Sequence, residues 1–475
     1  MNRRKPKIGF MVATSHNRTT DELGRPFPVM GMAEMALRAL ERQGCQAVLY
    51  KGKRIVDGEV KGIQVPNYNA DVVIDNRRSA MEVAELFRRE DVDAVVIFAT
   101  SFLWANMYVQ PLKIIGKPIL IWAGDRLEGC EAIGAWALKG ALEVAGFKHI
   151  KTIYGTPDNP KVVREAMNFI EASRVKQQLS RSLYGRFGSM ALGGLSALMD
   201  DADWIRKFGV AAEHLESLTL ARMAEKFSEE EIKEVYEKIR KLTKTSYPLD
   251  QAMERNIRIY LAHRKLIEKY NLDFTVVKCF FELSENYVPP CIAQSLLLEE
   301  GFVTSCTGDD LGALTMYIMR LFSDAPILQA DVEQIVVDKK LVRLATCGAM
   351  QFSLIREKDK IPEEVIVKGP ELERTVPSLS INAIAKAGPA TCARIIKFSD
   401  GYKMLIAPGE IIEEDKDFRP DLGWPKIPAA TVKLAGDASK FVENLLHQYI
   451  IVCQDDIADK LIELCKLLDI EPIIC

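Results

Sequence analysis

Asp93-Ala94-Val95-Val96-Ile97-Phe98-Ala99-Thr100 is a run of six apolar residues closed at each end by a polar one. A strand with one wet face alternates apolar and polar residues. An unbroken apolar strand therefore implies burial on both faces, as in a parallel sheet covered by helices. The flanking sequence repeats the pattern. Ile8–Ala13, Ala47–Tyr50, Val72–Asp75 and Pro118–Trp122 read as strands. Between them Met30–Gln43, Ser79–Arg89 and Glu131–Val144 read as helices, the last stopped by Gly146. This alternation predicts an open parallel sheet with right-handed crossovers.

A second α/β region begins near Thr156. Helices are expected at Val162–Ser180, Asp203–Lys207, Pro290–Glu300 and Leu311–Arg320, and strands at Tyr184–Phe187, Thr275–Lys278, Phe302–Cys306 and Ile327–Ala330. Ser228–Lys241 has a capping serine, an acidic first turn and a basic end, the pattern of a solvated helix. From Cys347 the segments shorten: Glu364–Val367, Arg394–Phe398, Tyr402–Ile406, Ala430–Leu434 and Tyr449–Cys453 lie between Gly, Pro and Asp turns. These predict a small antiparallel barrel or sandwich, closed by a helix at Asp455–Leu468 and a strand at Ile470–Ile474. The expected class is α/β: two Rossmann-like open-sheet domains, 1–155 and 156–345, then a β-rich domain, 346–475.

Composition narrows the function. The 475 residues carry 63 Lys+Arg against 66 Asp+Glu, a net charge of −3, without the basic excess of a nucleic-acid binder. Ten cysteines form no CxxC pair, so zinc ribbons and thioredoxin-like sites lack a motif, and reduced thiols in a cytoplasmic protein are expected. Ile8–Ala13 is too short for a secretory segment, and Ala94–Val109 too short and too polar for a membrane span. The turn Thr14–Arg18 has no glycine, and no P-loop occurs anywhere, so no nucleotide cofactor is expected.

In open α/β sheets, chemistry sits at the carboxyl ends of strands. That rule selects Glu282 and Glu285, the stretch Thr307-Gly308-Asp309-Asp310, and Asp331; His447 precedes a C-terminal strand. Oxygen and imidazole donors from separate segments suit a Mn²⁺- or Mg²⁺-type site. Each has a plainer role: Asp309 and Asp310 as helix caps, Asp331 as a turn residue, His447 as a hydrogen-bonded histidine, the two glutamates as loop residues. His16 and Arg18 are candidates for a polar ligand, Asn76-Arg77-Arg78 for an anion, and Trp104 for stacking on a sugar.

The order of these pieces resembles the L-fucose isomerase family and, more distantly, L-arabinose isomerase. The likeness runs nearly end to end: Asp93–Thr100 with Lys117–Trp122, Tyr184–Asp203 with Phe208–Val210, Val277–Pro290, Thr304–Asp331, Gly388–Gly409, and His447 with its adjoining strand and helix. GDDLGALTMYIM (Gly308–Met319) with Gln329-Ala330-Asp331 is its most specific part. The resemblance implies a hexameric or trimeric sugar isomerase with a divalent cation, usually Mn²⁺, held by a Glu, an Asp and a His. Asp331 and His447 match the Asp and the His; the Glu position falls on Thr307. Thr346 stands where many relatives have His, and Leu446 where Asn is common.

Isomerisation through an ene-diol needs a base and charge stabilisation across O1 and O2. The expected assignment is Asp309 as base with Asp331 also catalytic, Asp331 and His447 on the cation, and Arg18, Trp104 and Glu282 on the sugar. Thr307 leaves two alternatives: a sugar-binding protein without turnover, or C–C cleavage or transfer through the same enediolate. Arg18, Arg77 and Arg78 leave room for a phosphorylated or sulfonated sugar.

Overall fold

A computed structural model describes residues 4–13, 28–50, 73–74, 77–99, 103, 105–125, 131–189, 194–357, 365–369, 377–413 and 428–475. It divides into two compact units, Asn2–Gln177 and Gln178–Cys475.

The first unit is the expected parallel sheet. Its strands run in the order Gln46–Leu49, Lys7–Ala13, Ala94–Ala99, Ile119–Ala123 and Ile150–Tyr154, with Val73–Ile74 pairing the end of Lys7–Ala13. Every residue of Ala94–Ala99 is buried. Val95, Ile97 and Ala99 join a core containing Phe87, Leu112 and Leu138. Phe98 faces the other way and meets the Trp122 ring at 6.0 Å between centroids. Burial on both faces thus explains the absence of polar residues within the run.

The second unit holds two larger sheets and a two-stranded pair, Ile366–Lys368 with Leu379–Ile381. The first is parallel, in the order Val303–Ser305, Phe274–Val277, Leu183–Phe187 and Ala211–Leu215. The helix Glu229–Thr243 starts with a reciprocal capping box between Ser228 and Glu231 and buries Ile232, Val235 and Ile239. The next helix, Gln251–Tyr270, is capped by Asp250.

The second sheet closes on itself. Around the barrel run Gly388–Phe398, Tyr449–Cys453, Ile327–Val336, Leu341–Ala345, Ala429–Leu434 and Gly401–Ile412, which pairs back onto Gly388–Phe398; Glu471–Ile474 adds in parallel to Gly401–Ile412. The expected class therefore holds: mixed α/β with two parallel sheets and a C-terminal antiparallel barrel. The boundaries differ: the first compact unit runs on to Gln177 instead of ending at 155. Ile327–Ala330 is not an end of the open sheet but the start of a barrel strand, so the β-rich region begins well before residue 346. Four apolar residues cannot distinguish a parallel neighbour from an antiparallel one, because each buries the same side chains.

Helix Asp310–Phe322 lies under both sheets, and all its residues are buried. The Ile395 backbone N–H of the barrel donates to Thr315 Oγ1 of this helix at 3.0 Å. That contact fixes the barrel against the helix whose start carries the acidic pair.

Candidate active site

The carboxyl edge of the second unit's parallel sheet collects polar residues from three strands. Leu183–Phe187 supplies Arg186 and runs into Gly188 and Ser189; Phe274–Val277 leads to Lys278 and Glu282; Val303–Ser305 leads to Thr307, Asp309 and Asp310. The barrel adds Asp331, His447 and Tyr449. Asp331 lies directly opposite Tyr449 in the antiparallel register.

Asp309 is fully engaged. Arg394 donates from Nη1 to Oδ2 at 2.8 Å and from Nη2 to Oδ1 at 2.9 Å. Gln329 Nε2 donates to Oδ2 and the Gly312 N–H to Oδ1, both at 3.0 Å. Burial alone raises a carboxyl, but the Arg394 charge and these donors outweigh it and hold Asp309 below its ordinary value. A low-pKa carboxylate surrounded by four donors is a helix cap and ion-pair partner. This geometry does not suit the role of proton-transfer base expected for Asp309.

Asp310 differs. Tyr184 Oη donates to its Oδ1 at 2.6 Å and the Met199 N–H to its Oδ2 at 3.2 Å, while Arg186 Nη2 stands 3.5 Å away. Burial dominates and pushes its carboxyl up to about 6. Because this lies above the ordinary 3.8, the native state holds the proton more tightly than the unfolded chain does. That contribution is complete below the ordinary value and is lost as pH rises through about 6. Asp310→Asn, fixed in the neutral form, should therefore gain melting temperature relative to the parent between pH 4 and pH 7, on the order of the window this linkage sets. Thermal melts across that range test it, and a difference independent of pH would refute it.

Thr307 is a buried β-branched residue at φ +57°, the left-handed region, followed by Gly308 at φ +70°. Such a backbone costs about 1–3 kcal/mol and persists only where its surroundings hold it. Its Oγ1 donates to the Cys306 carbonyl at 2.7 Å. Asp331 is half-buried, and burial together with the neighbouring Glu333 pushes it up to about 7. His447 Nδ1 accepts the Tyr449 backbone N–H at 3.0 Å. Burial and the Arg394 charge lower His447 to about 4, so its ring is neutral at physiological pH.

A cavity of about 30 Å³ is lined by Asp331, Tyr449 and Gln329 together with Cys279, Cys291, Cys306 and Cys347. The neighbouring thiol, Cys279 for Cys306 and Cys291 for Cys347, together with burial holds Cys306 and Cys347 well above the ordinary thiol value. All nine cysteines among the described residues are free thiols. Their convergence had no signal in the sequence, since the four come from four separate segments.

Glu282, expected at the substrate, does sit at this edge. It accepts Lys278 Nζ at 3.0 Å and Ser189 Oγ at 3.3 Å. Burial opposes its ionisation, but Lys278 and Ser189, with the nearby Ser217 hydroxyl, hold its carboxyl below the usual range. Gly188 makes the packing possible: a Cβ there would lie 2.5 Å from Ser217 Oγ and 2.8 Å from Glu282 Oε2. Glu285 is exposed. Arg186, which the sequence did not single out, has buried Nε and Nη2 atoms without a hydrogen-bond partner among the described residues. It lines a cavity of about 460 Å³ with Gly188, Ser189 and His214. Arg18, His16, Asn76 and Trp104 lie outside the described residues; Arg77 and Arg78 are exposed in the first unit.

The cation implied by the resemblance does not fit these donors. Thr307 offers no anionic oxygen, Asp309 is spent on Arg394, and among the described residues no three His, Cys, Asp or Glu side chains are placed to hold a metal ion. No helix among them is long and apolar enough to cross a membrane.

No family model matches the chain. It is similar to sulfoquinovose isomerase of Priestia megaterium and of Priestia aryabhattai, at 23% identity over 446 residues, 88% of this chain and 96% of theirs. It is also similar to sulfoquinovose isomerase of a Clostridium species, at 22% identity over 369 residues, 74% of this chain and 80% of that one. Along most of its length the chain is thus similar to proteins named sulfoquinovose isomerase.

Proposed function

We propose that this protein is an aldose–ketose isomerase whose substrate is a sugar bearing a sulfonate. The near-full-length likeness to proteins named sulfoquinovose isomerase carries this proposal. Two features support it: a carboxyl on the barrel with a raised pKa, Asp331, and at the sheet edge a guanidinium edge without a hydrogen-bond partner among the described residues, Arg186.

In the reaction, Asp331 takes the C2 proton of the open-chain aldose. The C2–H electron pair becomes the C1=C2 bond, and the carbonyl pair moves to O1, which gains a proton. Return of the proton to C1, with loss of the O2 proton, leaves the ketose. The electrons balance without an oxidant, so no redox cofactor enters. Glu282 and Lys278 hold sugar hydroxyls, and Arg186 holds the sulfonate.

The test is incubation with sulfoquinovose, following ketose formation by NMR. Turnover supports the proposal; binding without turnover assigns the chain a sugar-binding role instead. Arg186→Gln should raise KM for the sulfonated sugar about 10–100-fold, the worth of a charge-assisted hydrogen bond of about 1.5–3 kcal/mol. The KM for the neutral parent sugar should not change. Equal effects on both sugars would remove Arg186 from sulfonate recognition.

A further inference from the structure

We infer that this chain carries out its proton transfer without a resident divalent cation, the negative charge on the enediolate oxygen being met by hydrogen-bond donors of the chain itself. The enediolate half of this inference rests on the proposed isomerase function; the metal half stands on the donor set alone.

Hard divalent cations are held by several oxygen ligands, with carboxylates supplying the compensating charge. Four observations remove that possibility here. Thr307 is neutral, and its hydroxyl already donates to the Cys306 carbonyl. Its left-handed backbone, followed by Gly308 in the same region, holds it there. Asp309 cannot rotate onto an ion without abandoning a bidentate pair with Arg394, whose side chain is fully buried. His447 Nδ1 already accepts the Tyr449 N–H, so that ring could offer an ion Nε2 and nothing more. The two remaining family positions, Asp331 and His447, fall short of a three-ligand set.

The same geometry supplies a replacement. An imidazole nitrogen that accepts a backbone N–H carries no proton of its own. Because His447 Nδ1 accepts from the Tyr449 N–H, the neutral ring carries its proton on Nε2, which makes Nε2–H a donor. A fixed neutral donor facing a developing oxyanion stabilises it without a metal, as backbone and side-chain donors do in oxyanion holes. Asp331 then acts as base, and His447 is the electrophile.

Elemental analysis of the purified protein and Mn²⁺ titration followed by electron paramagnetic resonance test the inference without reference to turnover. The full chain should carry far less than one equivalent of any divalent metal and bind Mn²⁺ weakly. Thr307→Glu, which restores an anionic ligand, should tighten Mn²⁺ by at least about 10–100-fold, the loss known for removing even an outer partner of a metal ligand. Any turnover of sulfoquinovose should survive dialysis against a chelator. Near-stoichiometric metal in the parent protein overturns the inference, whether held by Asp331 and His447 or by the four thiols. So does turnover abolished by chelation and restored by Mn²⁺. Should Thr307→Glu fail to fold, the metal content of the parent still decides. If the parent turns over no sugar at all, the isomerase function falls while the metal measurement judges this inference separately.

Discussion

Asp331→Asn is expected to lower kcat by about 10²–10⁴-fold, the usual worth of a positioned general base. The substitution keeps the shape and one acceptor oxygen but cannot receive a proton. The effect is assigned to Asp331 because the other carboxylates of the site are engaged away from the small cavity. Asp309 is held by Arg394, Gln329 and Gly312, Asp310 by Tyr184 and the Met199 N–H, and Glu282 by Lys278 and Ser189. Asp331 alone combines a place on the small cavity with a carboxyl pushed up to about 7, where it can both take and return a proton near neutrality. KM should change little, because the amide still fills the same position, and the melting temperature should not fall, since a carboxyl raised to about 7 is replaced by a group that stays neutral. A variant that keeps the parent's kcat would show that another group moves the proton, and Glu282→Gln would then be the next substitution to measure.

The largest effect on stability should come from Arg394→Met, about 3–5 kcal/mol by denaturant unfolding. Arg394 and Asp309 are 0% and 1% exposed, so removing the guanidinium strands a carboxylate where no water reaches it. Methionine fills much of the volume, which separates the loss of charge pairing from the loss of packing. The double variant Arg394→Met with Asp309→Asn should recover part of the loss, because the amide carries no charge and still caps Gly312. The pair would then show an interaction energy well beyond additivity. A cost below about 1 kcal/mol for Arg394→Met would mean that Asp309 takes up a proton or finds a second partner, and the ion pair would lose its assigned role.

The two effects separate the residues that an acidic stretch presents together. In Thr307-Gly308-Asp309-Asp310, two aspartates one residue apart have opposite shifts: Asp309 is lowered beside Arg394, and Asp310 is raised by burial against Tyr184. Their identities in sequence are the same. Their difference arises from Arg394, 85 residues from Asp309, and from Tyr184, 126 residues from Asp310.

The part of this protein that the sequence determined by itself rests on local physics. An apolar run such as Ala94–Ala99 has one outcome, burial on both faces, and the alternation with helices leaves a parallel sheet as its neighbourhood. The capped helix at Ser228 was legible for the same reason, since a serine, an acidic first turn and buried residues at helical spacing all act within a few residues of one another. The carboxyl-edge rule also placed Glu282, Asp309 and Asp310 correctly, because a strand's direction fixes which end its following loop occupies. Only the tertiary structure decided the rest. It moved Ile327–Ala330 into the barrel, converted Asp309 from expected base to ion-pair partner, and brought to the site four cysteines and an Arg186 edge that lacks a hydrogen bond. Each of these depends on contacts between residues far apart in the chain. The charge state of a buried group is set by what surrounds it in space, and residue type and spacing along the chain do not encode that environment.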